Sequence, residues 1–382
     1  MNKRIRFAAL LGGVALVVAA CGDAPDDNGD DAATPGNGEE TDAPADEETD
    51  APAGEDFMAC MVTDEGGVDD QSFNQSGADG LEAAATAGAI AADPTIVESN
   101  AAADYAPNLS NLVQEDCGII VTVGFLLAAD TATSANENAD ERFAIVDYLY
   151  TDFDEVAPEN DNVKPLVFNT HEAAFLAGYV AAGFTESGTV GTWGGAQIPT
   201  VTIFMDGFAD GVAHYNDAHG TEVGVVGWDK AAQDGSFVGD FTDAATAQQI
   251  SDNMIEEGAD VIMPVAGPLG AQAATAAQDA GDVAVIWVDT DGTVSAPEFT
   301  DVLLTSVMKG IAVAVEDAAT TTASGEFSSE AYIGTLENGG VDIAPYHDFD
   351  DEVSDELKAE VDELRQQIID GELEVQSDAA FG

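Results

Sequence analysis

The chain has 382 residues, 45% of them apolar, and carries 74 acidic against nine basic side chains for a formal charge of −65. That length is too great for one small core and suits two lobes of ordinary size, with apolar residues enough for both interiors. The charge excludes any general affinity for nucleic acid or for anionic lipid surfaces.

Lys3, Arg4 and Arg6 precede an apolar run over 7–20. The run is too short to span a membrane, so 1–20 reads as a secretory signal. It ends in Val18-Ala19-Ala20-Cys21 followed by Gly22, which resembles the lipobox of bacterial lipoproteins. That resemblance implies cleavage before Cys21 and a diacylglycerol, with palmitate-type chains, on its thiol. Each buried methylene then contributes about 0.8 kcal/mol to anchoring on the outer face of the cell membrane. Residues 21–56 are almost wholly Asp, Glu, Ala, Pro, Gly, Thr and Asn, without an aromatic until Phe57. Such a segment cannot offset its ordering entropy by burial and reads as a disordered acidic tether.

Beyond the tether, short apolar runs alternate with alanine-rich stretches. Strands are predicted over 57–63, 95–98, 118–123, 144–147 and 166–169, with helices over 77–87 and 108–115. The alternation then restarts. A strongly apolar helix is predicted over 172–184, followed by strands over 189–193, 222–227, 261–265 and 283–288 and helices over 201–216, 244–257 and 270–280. An amphipathic helix over 351–370 closes the chain, with Val353, Leu357, Val361, Leu364 and Ile368 at helical spacing. Continuous apolar strands separated by helices argue parallel sheets buried on both faces. Two such units in succession make this an α/β protein of two doubly wound lobes. The expected division is 57–168 plus 292–325 for the first lobe and 169–291 plus 326–382 for the second.

In open α/β sheets ligands bind beyond the carboxyl ends of the strands. The residues falling there include Asp64, Gly124, Phe125, Asp147, Gly194, Gly195, Gly267 and Asp289. Cys60 and Cys117 lie in or beside predicted strands of an exported chain. A disulfide is sterically possible if those strands are neighbours, and two buried thiols are the alternative.

Residues 62–85 read VTDEGGVDDQSFNQSGADGLEAAA. This segment is similar to the signature of the basic membrane protein family, which includes purine nucleoside receptor lipoproteins. FAIVD at 143–147, HEAAFLAGYVAA at 171–182 and GTWGGAQIPTVTIFMDGFADGV at 191–212 resemble its next blocks. GADVIMPVAGPLG, VIWVDTDG and VLLTSVMKG, from Gly258, Val285 and Val302, follow in the family's order. The resemblance implies a type I periplasmic-binding-protein fold, with two lobes joined by a hinge. It also implies a small polar ligand, such as a nucleoside, passed to the permease subunits of an ABC importer.

The residues can carry that chemistry. An aromatic such as Phe73 can lie flat on a base, although it can equally staple the helix that follows. Asn74 can donate to and accept from a base edge. Asp64 can order the loop or reach the ligand, and the resemblance sets Asp147 at the base or the cleft edge. It matches Asp289 to the carboxylate that accepts from ribose hydroxyls, with Asp291 the rival. Lys309 stands inside the apolar stretch 302–315 in a folded part that keeps only six cations, and it is expected to donate to ribose oxygens and to meet Asp289. Met263 is expected to offer the opposite stacking surface, with Trp228 and Phe204 as alternatives, Phe204 falling more naturally on the core face of its helix.

Enzymatic signatures are missing from this sequence. The four histidines are scattered without HExxH spacing, and neither GxSxG nor a P-loop occurs. No catalytic residue, metal site or cofactor is expected. A ligand-sensing or surface lipoprotein of the same fold, binding a sugar or another small polar solute without transport, is the alternative function. The acidity reads as a solvated surface adapted to salt, since at molar salt the screening length falls to about 3 Å. The folded domain is therefore expected to melt at lower temperature in dilute buffer than in molar KCl. Melting independent of salt would count against that adaptation.

Overall fold

The computed structural model describes residues 54, 56–151 and 155–381. The predicted signal, Cys21 and the tether as far as residue 53 lie outside the described residues. The first unit runs β1 (Ala59–Thr63), α1 (Phe73–Thr86), β2 (Thr95–Val97), α2 (Tyr105–Gln114), β3 (Ile119–Val123), α3 (Ala128–Glu137), β4 (Phe143–Val146) and β5 (Val163–Phe168). The second begins with α4 (Thr170–Phe184), β6 (Thr189–Gly194), α5 (Pro199–His219) and β7 (Gly224–Val226). A small hairpin of β8 (Trp228–Asp229) and β9 (Asp234–Gly235) precedes α6 (Ala244–Glu256), β10 (Val261–Val265), α7 (Gly270–Ala280), β11 (Ala284–Asp289), α8 (Gly292–Ser295) and β12 (Leu303–Lys309). The chain ends with α9 (Ile311–Ala323), β13 (Tyr332–Gly334), β14 (Val341–Ile343) and α10 (Asp355–Ile369).

One sheet has the order β2-β1-β3-β4-β5 with β13 at its far edge; the other repeats it as β7-β6-β10-β11-β12 with β14 at its far edge. Within these two sheets strand neighbours are parallel except β14, which runs antiparallel to β12; the β8–β9 hairpin is antiparallel too. Every residue of β1, β3, β4, β10 and β11 is buried, as continuous apolar strands covered by helices on both faces require. The strand at 261–265 and the helix at 270–280 fall as predicted. By contrast, α3, β12, α9, β13 and β14 had no separate prediction.

The predicted division of the lobes needs correction. β12, expected in the first lobe, is paired with β11 and β14 in the second sheet. β13, expected in the second lobe, pairs with β5 in the first. The physical reason is that the chain crosses between sheets three times, after β5, after β12 and after β13, so that each sheet borrows its edge strand late in the sequence. The crossings are stitched together: Asn169 N–H donates to the Gly334 carbonyl and Gly310 N–H to the Gly340 carbonyl, both at 2.8 Å. A Cβ on Gly340 would fall 2.3 Å from the Gly334 Cα, so only glycine permits this approach.

Cys60 and Cys117 are joined in a disulfide with Cα atoms 5.9 Å apart, tying β1 to the start of β3. Among the described residues no helix is long and apolar enough to cross a membrane. The disulfide closes a chain separation of 57 residues. Reduction, or replacement of both cysteines by alanine, is expected to lower the unfolding free energy by about 2–4 kcal/mol. Denaturant titrations with and without reductant measure the difference, and coincident curves would show that the bridge contributes nothing.

Candidate functional site

The two sheets direct their carboxyl ends at each other across a cavity of about 550 Å³ including its open mouth. Asp64, Phe73, Asn74, Asp147, Gly267, Asp289 and Lys309 all line it. These residues come from both lobes and span much of the folded chain.

The strand ends are built alike in the two lobes. Asp147 follows β4 with φ +69°, and Asp289 ends β11, the fourth strand of the other sheet, with φ +70°. Aspartate tolerates this left-handed region better than most residues, and in both places the turn swings a carboxylate off the end of a buried strand. β3 leads through Gly124 into a 3₁₀ turn, Phe125–Leu127, and β10 through Ala266 into another, Gly267–Leu269. A Cβ on Gly124 would lie 2.0 Å from Asp64 Oδ2, so glycine there leaves room for that carboxylate.

Lys309 ends β12 and is 6% exposed. Its ammonium donates to Asp147 Oδ2 from the opposite lobe and lies 4.0 Å from Asp289 Oδ1. The rings of Phe73, Phe168 and Phe204 surround it, with centroids at 4.8, 5.6 and 5.7 Å. Aromatic faces and carboxylates together offset the cost of burying this cation. Burial pushes the carboxyl groups of Asp147 and Asp289 above the usual range, against the downward pull of Lys309.

Asp64 is buried too, and burial drives it well above the usual carboxylate range against a hydrogen bond donated by Asn74 Nδ2 at 3.3 Å. Asn74 Oδ1 has no hydrogen-bond partner. Asp70, absent from the sequence-based site, accepts the backbone N–H groups of Ser72, Asn74 and Gln75 and so caps α1. This cap explains why α1 starts at Phe73, four residues earlier than predicted. Burial raises Asp70 to about 6 in spite of those bonds.

Five carboxylates line the cavity (Asp64, Glu65, Asp70, Asp147 and Asp289) beside one ammonium, Lys309. The arrangement accepts hydrogen bonds from a guest with several donors and opposes an anion. Among the described residues no group of acidic, histidine or cysteine side chains is placed to hold a metal ion.

Met263 needs correction. It lies two residues short of the end of β10, fully buried beneath Val265, and does not line the cavity. Trp228 does not line it either; its indole N–H donates to Asp206 Oδ1 at 3.1 Å. Phe204, read as core, is 2% exposed and forms part of the wall. Phe241, which sequence reasoning missed, reaches the cavity from the excursion between β7 and α6; its only signal was an aromatic in an acidic, turn-rich stretch. Of the two carboxylates left open, Asp289 faces the cavity, whereas Asp291 caps α8 through Thr293 N–H and pairs with His347.

A family described as PnrA-like ABC transporter substrate-binding proteins matches residues 57–379. A "CD4+ T-cell-stimulating antigen" of Listeria innocua is 31% identical over 395 residues, covering 98% of this chain and 99% of that one. An "ABC transporter nucleoside-binding protein" of Lactococcus lactis subsp. cremoris is 30% identical, covering 84% and 90%. A solute-binding protein of an ABC transporter system from Aeropyrum pernix K1 superposes with a TM-score of 0.74 at 23% identity, over 84% and 94% of the two chains. The fold is accordingly the α/β two-lobed type of periplasmic solute-binding proteins.

An acid raised by folding binds its proton more tightly in the folded state. Asp70 therefore stabilises the fold at low pH and loses that contribution as pH climbs from 3.8 to about 6. His171, lowered to about 4 by burial and by Lys230, acts in the opposite sense below its ordinary 6.5. Subtracting an Asp70→Asn variant cancels the groups that do not interact with Asp70, His171 among them. The unfolding free energy of the native chain minus that of the variant is expected to fall by on the order of 1 kcal/mol between about pH 5 and 7. A constant difference across that range would contradict the raised carboxyl.

Proposed function

The chain belongs to the family of PnrA-like ABC transporter substrate-binding proteins, and on that footing we propose that its cleft captures a purine nucleoside for import. Members of this family are not enzymes; they work outside the cytoplasm at the membrane, binding a small molecule for permease subunits. The nucleoside, the transport role and the lipid anchor at Cys21 are what the proposal adds.

One observation carries it: a single buried ammonium, Lys309, set among carboxylates and aromatic rings from both lobes in one cavity. In this reading the base lies against Phe73, with Phe241 as a further aromatic wall. Asn74 and Asp64 meet the base edge, and Gly267 lets the backbone approach it. Asp289 accepts from the ribose hydroxyls while Lys309 donates to ribose oxygens, and Asp147 holds Lys309 in place. The vicinal diol suits a carboxylate, which can accept from both of its hydroxyls. The excess of carboxylates supports a neutral nucleoside over its phosphorylated forms, since a phosphate would meet like charge in a site of low dielectric. The nucleoside-binding relative from Lactococcus points to the same class of ligand. Closure of the lobes is a population shift driven by contacts made only when both lobes touch the guest.

Thermal-shift measurements in molar KCl over nucleosides, their 5′-monophosphates, free bases and sugars test the proposal. At least one purine nucleoside is expected to raise the melting temperature, and its monophosphate to do nothing. Lys309→Ala, which leaves Asp147 buried without its cation, is expected to weaken binding by about a hundredfold or more, and Phe73→Ala to weaken it by about tenfold or more. Stabilisation by free sugars alone would overturn the nucleoside assignment.

A further inference from the structure

The loop ahead of α1 divides two tasks that one residue ordinarily combines. Ser72 holds the N-cap position of α1, where a serine usually accepts a first-turn N–H, yet its side chain makes no capping bond. Asp70 does that work, taking Ser72 N–H and Gln75 N–H on Oδ1, each at 3.0 Å, and Asn74 N–H on Oδ2 at 2.8 Å. The Ser72 hydroxyl is thereby free, and it donates across the cleft to Asp289 Oδ2 at 2.7 Å, with the Val288 carbonyl 3.2 Å away. Ser72 is wholly buried and does not line the cavity.

Two neighbouring bonds cross the same line. Thr290 Oγ1 donates to the Gln71 carbonyl at 3.3 Å, and Gln71 Nε2 to Glu298 Oε1 at 3.2 Å. Gln71 holds φ +56°, a left-handed conformation that glutamine adopts at some cost. That turn presents the loop to the other lobe.

We propose that Ser72 is a positioning residue that couples lobe closure to the orientation of Asp289. When the lobes meet, its hydroxyl takes Oδ2, which leaves Oδ1, 4.0 Å from Lys309 Nζ, for the guest. The proposal rests on the assignment of Asp289 to the ligand and adds a residue that never touches it. Because donor and acceptor belong to different lobes, the bond exists only when the lobes are together. It therefore acts on escape from the closed complex and not on encounter.

Ser72→Ala removes the hydroxyl and keeps the backbone that Asp70 caps. In the full-length protein, stopped-flow measurements with guanosine, inosine and adenosine should show dissociation roughly ten- to a hundredfold faster, with association unchanged within about twofold. Unchanged dissociation, or a loss carried by association, would overturn the proposal. Should the native protein bind none of these nucleosides, the ligand assignment fails, and amide hydrogen exchange without nucleoside decides the role of Ser72 separately. Ser72→Ala should then speed exchange over 289–298 in the opposite lobe while the first turn of α1 stays protected. Unaltered exchange over 289–298 would overturn it.

Discussion

Lys309 sets the terms on which the two lobes meet. An ammonium cannot stay buried at the end of β12 unless anions and aromatic faces surround it, and here they come from both sides: Asp147 and Phe73 from the first lobe, Asp289 and Phe204 from the second. The converse holds as well. Burial makes each of these carboxylates costly to ionise, and Lys309 is the one cation among the residues that line the cavity. A pair of this kind adds little to stability but fixes geometry, because each partner is penalised for leaving the other. The cleft is thus held in register by charge, with the rings closing around it.

The duplicated architecture explains how so many functional groups reach one place. Both sheets repeat the order in which the chain reverses direction at its first strand, and loops after equivalent strands converge from opposite sides. Asp147 and Asp289 occupy equivalent positions with nearly the same φ. Phe168 and Lys309 both end the fifth strand of their sheets, so the copy that carries an aromatic faces the copy that carries the cation. The asymmetry at this pair of positions sets one cation among the carboxylates of the cavity.

Much of this was legible in the amino-acid order because buried parallel strands are continuous apolar runs, and the residue after each is forced to the ligand side. That logic found Asp64, Asp147, Gly267 and Asp289; Lys309 stood out as a lone cation inside an apolar stretch, and the resemblance to a family singled out Phe73 and Asn74. It failed where the pattern loses contrast. The apolar stretch 302–315 holds the end of β12, the break at Gly310 and the start of α9, so neither element stood out and the lobe division shifted with them. Met263 was misplaced although the bounds of β10 were read correctly: it lies two residues inside the strand, where its side chain is buried in the core. Phe241 and Asp70 act from loops, where no periodicity marks a residue as buried.

The acidic exterior and the acidic cavity share a sign but answer different demands. Outside, carboxylates are hydrated and screened; inside, they lose water and depend on Lys309, on backbone N–H groups and on a guest rich in donors. The account is tested most directly by a crystal structure of the protein grown with guanosine. It predicts the nucleoside in the cleft, a ribose hydroxyl within about 3 Å of both Lys309 Nζ and an Asp289 oxygen, and the base against Phe73. A nucleoside lodged elsewhere, or seated in the cleft with its ribose turned from Lys309, would contradict it.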